Sequence, residues 1–115
     1  MVTRMKRRPP RRLRGIIYLP EFRNKNWRNH RVSEEEVLEL LGGSVLFQFR
    51  KRGLRRGEDI YAAYGSTSTG RRLIAFFVHK RSGQALILSV RDMTESERRY
   101  YDGHKAHRIQ QGRTR

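Results

Sequence analysis

The residues able to do chemistry crowd one stretch, residues 71–101, RRLIAFFVHKRSGQALILSVRDMTESERRYY. Arg71 and Arg72 precede its first apolar run, Arg91 follows its second, and Arg98, Arg99, Tyr100 and Tyr101 come shortly after. An arginine fork holds two phosphate oxygens at once and keeps its charge throughout the working pH range. Arginines grouped around one short unit read as a surface for gripping phosphate. The tyrosines either stack on a base or pack the last helix against the rest of the fold. An acid–base pair is harder to find. His79 sits beside Lys80 and Arg81, cationic neighbours that favour a neutral imidazole, although a turn histidine can equally be a plain exposed one. His104 and His107 receive no role, and the four histidines show no metal-binding spacing.

These groups need a scaffold. Residues 73–78 and 85–90 are short apolar runs separated by His79-Lys80-Arg81-Ser82-Gly83, the pattern of a β-hairpin. Thr94 with Glu97 three residues on is a capping box, which starts a helix. Upstream, residues 16–19 read as a strand stopped by Pro20. Residues 21–29 read as a short helix with Phe22 and Trp27 on one face and Lys25 and Arg28 outside. Ser33 and Glu36 form a second capping box, Val32 and Val37 have staple spacing, and Gly42-Gly43 end that helix. Capping explains the run Glu34-Glu35-Glu36 better than catalysis does, because carboxylates suit the positive end of a helix.

Residues 44–49 and 60–64 add two strands. Between them lies the basic loop 50–57, RKRGLRRG, either a solvated hairpin end or an RNA backbone contact. The GSTSTG turn at 65–70 has the outline of a phosphate-binding loop, but it lacks the lysine and runs into a strand, so it reads as a turn. The order strand, helix, helix, four strands, helix predicts an α+β fold, with helices packed on one face of a mainly antiparallel sheet.

Composition narrows the partners. The formal net charge is +16; residues 1–14 carry +7 and residues 102–115 carry +3, which leaves +6 on residues 15–101. Charge of this sign favours a polyanion. Residues 1–14 are expected to be a solvated basic arm and residues 102–115 a basic tail, each either functional or merely solubilising. Cysteine is absent, which excludes disulfides and thiolate chemistry. No apolar run is long enough for a membrane span. The basic start lacks an apolar core to follow it, and Pro9-Pro10 would break a presequence helix. A cytoplasmic protein is expected.

Three segments, NKNWRNHRVSEEEVLELL (24–41), YGSTSTGRRL (64–73) and LILSVRDMTESERRYY (86–101), resemble in order and content the BrnT family of type II toxins. The resemblance covers about residues 15–101, and its closing segment is the most specific part. It implies a RelE-like fold and a small endoribonuclease that needs no metal or other cofactor. Such an enzyme attacks RNA through the ribose 2′-OH to block translation, on or off the ribosome. It also implies a BrnA-like ribbon-helix-helix antitoxin, with operator DNA touched only through that complex. By motif position it assigns Arg71, Arg91 and Arg98 to catalysis and matches His30 to the family's helix-ending histidine; His79, by its cationic neighbours, is the other candidate acid–base group. Lys25, Arg72, Lys80, Arg99, Tyr100 and Tyr101 become the surrounding RNA contacts, and Trp27 is expected in the core. Two other classes stay open: a non-catalytic RNA-binding or ribosome-associated module, and a basic surface for an acidic protein partner.

Overall fold

The computed structural model describes residues 13–113, with side chains through His104. Most of the expected N-terminal arm, and the side chains from residue 105 onward, lie outside the described residues. The elements are β1 (Gly15–Ile17), α1 (Pro20–His30), α2 (Glu34–Gly42), β2 (Leu46–Lys51), β3 (Ile60–Ser66), β4 (Arg72–His79), β5 (Gln84–Asp92) and α3 (Glu95–Arg113). Their order is the one expected from the sequence. The helix α3 continues past residue 101, through the stretch read as a tail.

Local chemistry explains where the helices begin. Pro20 does more than stop a strand: it occupies the first turn of α1, where its missing N–H costs nothing. In α2 the Glu36 amide donates to Ser33 Oγ at 3.2 Å and the Ser33 amide donates to Glu36 Oε1 at 3.0 Å. The second box has the same form, with the Glu97 amide on Thr94 Oγ1 at 3.2 Å and the Thr94 amide on Glu97 Oε1 at 2.8 Å. The exit from α1 is less ordinary. Arg31 takes a left-handed conformation, φ 53°, that usually falls to glycine.

The five strands form one mixed sheet of order β1-β5-β4-β3-β2, parallel between β1 and β5 and antiparallel elsewhere. Alternate residues sort onto two faces. Tyr61, Ala63, Leu73, Ala75, Phe77, Ile87 and Val90 pack with Val32, Val37 and Leu40 from the α1–α2 side. Ala62, Tyr64 and Ile74 pack with Met93, in the connection before α3, and with Tyr101 from α3. The helices therefore divide between the two faces, two on one and one on the other, where one shared face was expected. The run Leu73 to Phe77 is apolar without alternation because both of its faces are covered over part of their length. Gly65 lets α2 approach: a Cβ there would lie 3.0 Å from the Leu40 carbonyl oxygen. Among the described residues, no helix is long and apolar enough to cross a membrane.

In α1 the inward position belongs to Asn26, not Trp27. Trp27 is 50% exposed, with the Arg31 guanidinium 5.1 Å from its ring, which corrects the expectation of a core tryptophan. Asn26 is fully buried, donates to Tyr18 Oη at 2.9 Å and accepts from the Val90 amide at 3.3 Å. It thereby satisfies a β5 amide beyond the reach of the short β1 ladder.

Candidate nucleic-acid interface

Arg71 is the most heavily engaged of the expected site residues. Its Nε donates to Asp92 Oδ1 at 2.8 Å, and Nη2 donates to Asp92 Oδ2 at 3.1 Å and to the His30 carbonyl at 2.9 Å. Nη1 donates to the Arg31 carbonyl at 2.8 Å and to the Glu36 carboxylate at 3.1 and 3.2 Å. An arginine has five N–H donors, and here all five are used inside the chain. The side chain caps the end of α1, holds the left-handed Arg31 in place and ties α1, α2, β4 and β5 together. Asp92 first, and Glu36 with it, strengthen its hold on its proton. In return Arg71 keeps the Asp92 carboxyl below its usual range. Burial pushes Glu36 up, but the Ser33 amide and Arg71 together bring it below the usual value. Arg71 is a clamp with no donor left for a phosphate.

Four of the expected arginines do meet. A cleft of ≈ 460 Å³ between the start of β4 and the first turns of α3 is lined by Arg71, Arg72, Arg98 and Arg99. Acids in the same cleft answer most of that charge: Arg72 donates to Asp102 at 2.9 Å, and Arg99 pairs with Glu95 at 3.1 Å. Among the described residues, the Arg98 side chain makes no hydrogen bond or ion pair. His30 lies near this cluster, its carbonyl accepting from Arg71.

The other candidates are spread more widely. His79 closes β4 at the end opposite Arg72, roughly 23 Å away at the rise of an extended strand, and its ring meets Tyr61 edge-on. Lys80 is close by and is paired with Glu58 at 3.1 Å. Lys25 covers the Phe22 ring on α1. Tyr101 is buried, 2% exposed, and donates to the Ser44 carbonyl at 2.9 Å. It is a core residue and not an RNA contact, because the helical phase that turns Tyr100 outward turns Tyr101 into the sheet. His30, His79 and the arginines therefore do not converge on one point.

A different set does converge, on the sheet face that α3 only half covers. Two rows cross that face: Leu46, Tyr64, Ile74 and Arg91, then Gln48, Ala62, Phe76 and Ser89. Helix α3 lies over the first row through Tyr101, with Met93 from the connection before it. The second row keeps Gln48, Phe76 and Ser89 partly accessible. The register shifts beside Phe76 on β4–β5, and again between Phe49 and Lys51 on β2. Arg50 is the extra residue of the second shift. Bulges of this kind re-aim side chains. The Arg50 guanidinium lies 5.3 Å from the Phe76 ring centroid, and Arg91 reaches the same ring at 5.4 Å from the β5 side.

Hydrogen bonds give this surface its orientation. Arg91 holds Glu97 with a two-point fork at 2.8 and 3.0 Å. That pairing lowers the Glu97 carboxyl to about 2, so it stays ionised at neutral pH. Gln48 Oε1 accepts from Tyr64 Oη at 2.8 Å and from Arg50 at 3.2 Å, while its amide donates to Tyr100 Oη at 3.4 Å. Burial raises the Tyr64 hydroxyl, with Arg50 opposing. Next along α3, the His104 ring packs 4.2 Å from the Tyr100 ring, and its Nδ1 lies 2.8 Å from the Tyr100 carbonyl. A carbonyl can only accept, so Nδ1 carries the proton, and in the neutral ring Nε2 is then an exposed acceptor.

Arg50, Gln48, Phe76, Tyr64 and His104 were not among the residues expected at the site. The signal for two of them lay in the β2 pattern, where Gln48 and Arg50 interrupt an apolar strand two residues apart. No protein-family model matches the chain, and no curated protein is found as a relative; the resemblance rests on the segments quoted for it.

Proposed function

We propose that this chain is a small ribonuclease of the BrnT type, RelE-like in fold, that cuts single-stranded RNA in the cytoplasm to block translation and is neutralised by a BrnA-like antitoxin. The observation that carries the reading is Phe76 on a half-open sheet face, with Arg50 and Arg91 brought against its ring from the β2 and β5 sides. An aromatic ring beside guanidinium planes is a stacking surface for an unpaired base, and the same cations suit the adjoining phosphate. The resemblance of the segment containing Arg91 to the family's closing motif supports the same site.

The chemistry follows from the groups on that face. His104 Nε2 takes the proton of the ribose 2′-OH as the oxygen attacks the neighbouring phosphorus. Arg91 and Arg50 stabilise the charge that grows on the phosphorane, an effect often the largest single contribution to such a rate. Tyr100 accepts from Gln48, so its own hydroxyl proton is free to pass to the departing 5′-oxygen. The products are a 2′,3′-cyclic phosphate and a 5′-hydroxyl. Glu97, ionised and locked onto Arg91, aims the fork and moves no proton.

The test is incubation of end-labelled single-stranded RNA with purified protein in the presence of a chelator. Cleavage leaving cyclic phosphate ends, absent on an all-deoxy strand, is the expected result. Induced expression is expected to arrest growth, and co-expression of a ribbon-helix-helix protein encoded beside it should relieve the arrest. A second reading, a non-catalytic RNA-binding module, is favoured by one observation: Arg71, His30 and His79, all expected at a catalytic centre, are apart or internally committed. Tight RNA binding without cleavage would select it.

A further inference from the structure

The basic loop between β2 and β3, residues 52–59, is not a loose hairpin end. Arg81 reaches across from the β4–β5 turn and donates through both Nε and Nη2 to the Arg56 carbonyl. Glu58 is 8% exposed and binds Lys80 Nζ at 3.1 Å and the Arg81 amide at 3.1 Å. The Glu58 amide donates to the Arg55 carbonyl at 3.0 Å. Gly53 packs so close to the Glu58 backbone carbonyl that a Cβ there would collide with it. The cations that brace the loop, Lys80 and Arg81, are thus used within the chain.

The cations that the loop displays are not. Among the described residues, the side chains of Lys51, Arg52, Arg55 and Arg56 make no hydrogen bond or ion pair, and all are exposed. Leu54 stands fully exposed among them. A braced loop presents these charges without first having to be ordered, which lowers the entropic cost of binding. Arg50, Lys51 and Arg52 lead without a break from the Phe76 platform onto the loop.

We infer that the β2–β3 loop is a second RNA contact, one that grips the sugar–phosphate backbone of a segment flanking the nucleotides on the sheet. The inference rests on the proposed binding of RNA at the Phe76 face and extends it: the substrate must be longer than the platform alone holds. An anionic membrane is the weaker fit, because one leucine offers little apolar area and even a whole myristoyl chain anchors only marginally.

The experiment measures equilibrium binding of non-cleavable 2′-deoxy-substituted strands, one about twenty nucleotides long and one of about four, across a range of salt. The protein is compared with an Arg52→Ala/Arg55→Ala/Arg56→Ala variant. Loss of three phosphate contacts to a single strand should flatten the slope of log affinity against log salt by about 2. Long-strand affinity is expected to fall ten- to a hundredfold near physiological salt, with short-strand affinity and the cleavage rate of a short substrate unchanged. A triple Lys replacement should restore the slope, because counterion release depends on charge. An unchanged slope overturns the inference, and so does an equal loss for both strands. Binding to anionic phosphatidylglycerol vesicles that depends on the loop, with RNA binding intact, also overturns it in favour of a membrane. A loop-dependent slope in a protein that cuts no RNA sinks the nuclease reading alone.

Discussion

Arg71, just ahead of β4, and Arg91, on β5, are the same residue type and almost equally exposed, at 26% and 31%, yet they differ in how much of the fork their neighbours use. Arg71 meets two carboxylates and two backbone carbonyls, which together use its whole fork. Arg91 meets one carboxylate and one carbonyl, and its guanidinium lies over a partly open aromatic ring. The difference lies in the acids that tertiary structure brings to each. A basic residue becomes a binding residue where its neighbours leave donors over. Where they do not, it becomes part of the frame.

The contrast is sharpest in activity. Arg91→Ala is expected to lower RNA cleavage by about 10²–10³-fold, the scale seen when a charge-stabilising donor is removed, measured as single-turnover rates with folding verified by circular dichroism. Arg71→Ala should act on stability first. It leaves Asp92 and Glu36 without their cation and uncaps α1, a loss of about 3 kcal/mol in urea denaturation. Cleavage per folded molecule should change little. A large activity loss in fully folded Arg71→Ala protein would break the comparison.

Acid titration separates the two further. Glu97 is depressed from 4.5 to about 2 in the folded state. Its stabilisation is complete above about pH 4.5 and is lost as pH falls towards 2, because a depressed carboxylate binds its proton more readily in the unfolded chain. On the order of 2 kcal/mol is expected, allowing for the solvent that still reaches Arg91. Arg91→Ala should flatten that part of the stability–pH curve, and Arg98→Ala should leave it intact. Arg98→Ala is the smallest effect: within about 0.5 kcal/mol on stability, because the side chain makes no hydrogen bond or ion pair among the described residues. A modest loss of RNA affinity with unchanged cleavage would place it at the rim.

What the sequence revealed was local, and what it concealed was not. Both capping boxes were readable because Ser33 and Glu36, and likewise Thr94 and Glu97, stand one helical turn apart. The element order followed from apolar runs and their glycine-bearing turns. The Arg71 clamp was hidden because its partners lie 35 and 21 residues away along the chain. Helical phase decided Tyr100 against Tyr101 and Asn26 against Trp27, and a short amphipathic segment fixes phase poorly. Arg50 reaches Phe76 only because a register shift turns it there, and composition alone does not mark a shift. The pairing of Arg72 with Asp102, 30 residues away, was equally invisible, whereas Arg99 and Glu95 stand one helical turn apart. The charges were known, but not which would be neutralised.

The sheet also has a seam. The β3–β4 and β4–β5 ladders each close short connections, whereas β1 joins β5 through three parallel pairs, Gly15 to Gln84 through Ile17 to Leu86. Those few pairs must offset the closure of a loop of about 70 residues. Strand β1 should therefore be the last to dock as the chain folds and the first to part from the native state. Its amides are expected to exchange with solvent sooner than those of β4. Each such opening bares the upstream edge of β5, while the buried Asn26 amide keeps the edge at Val90 covered.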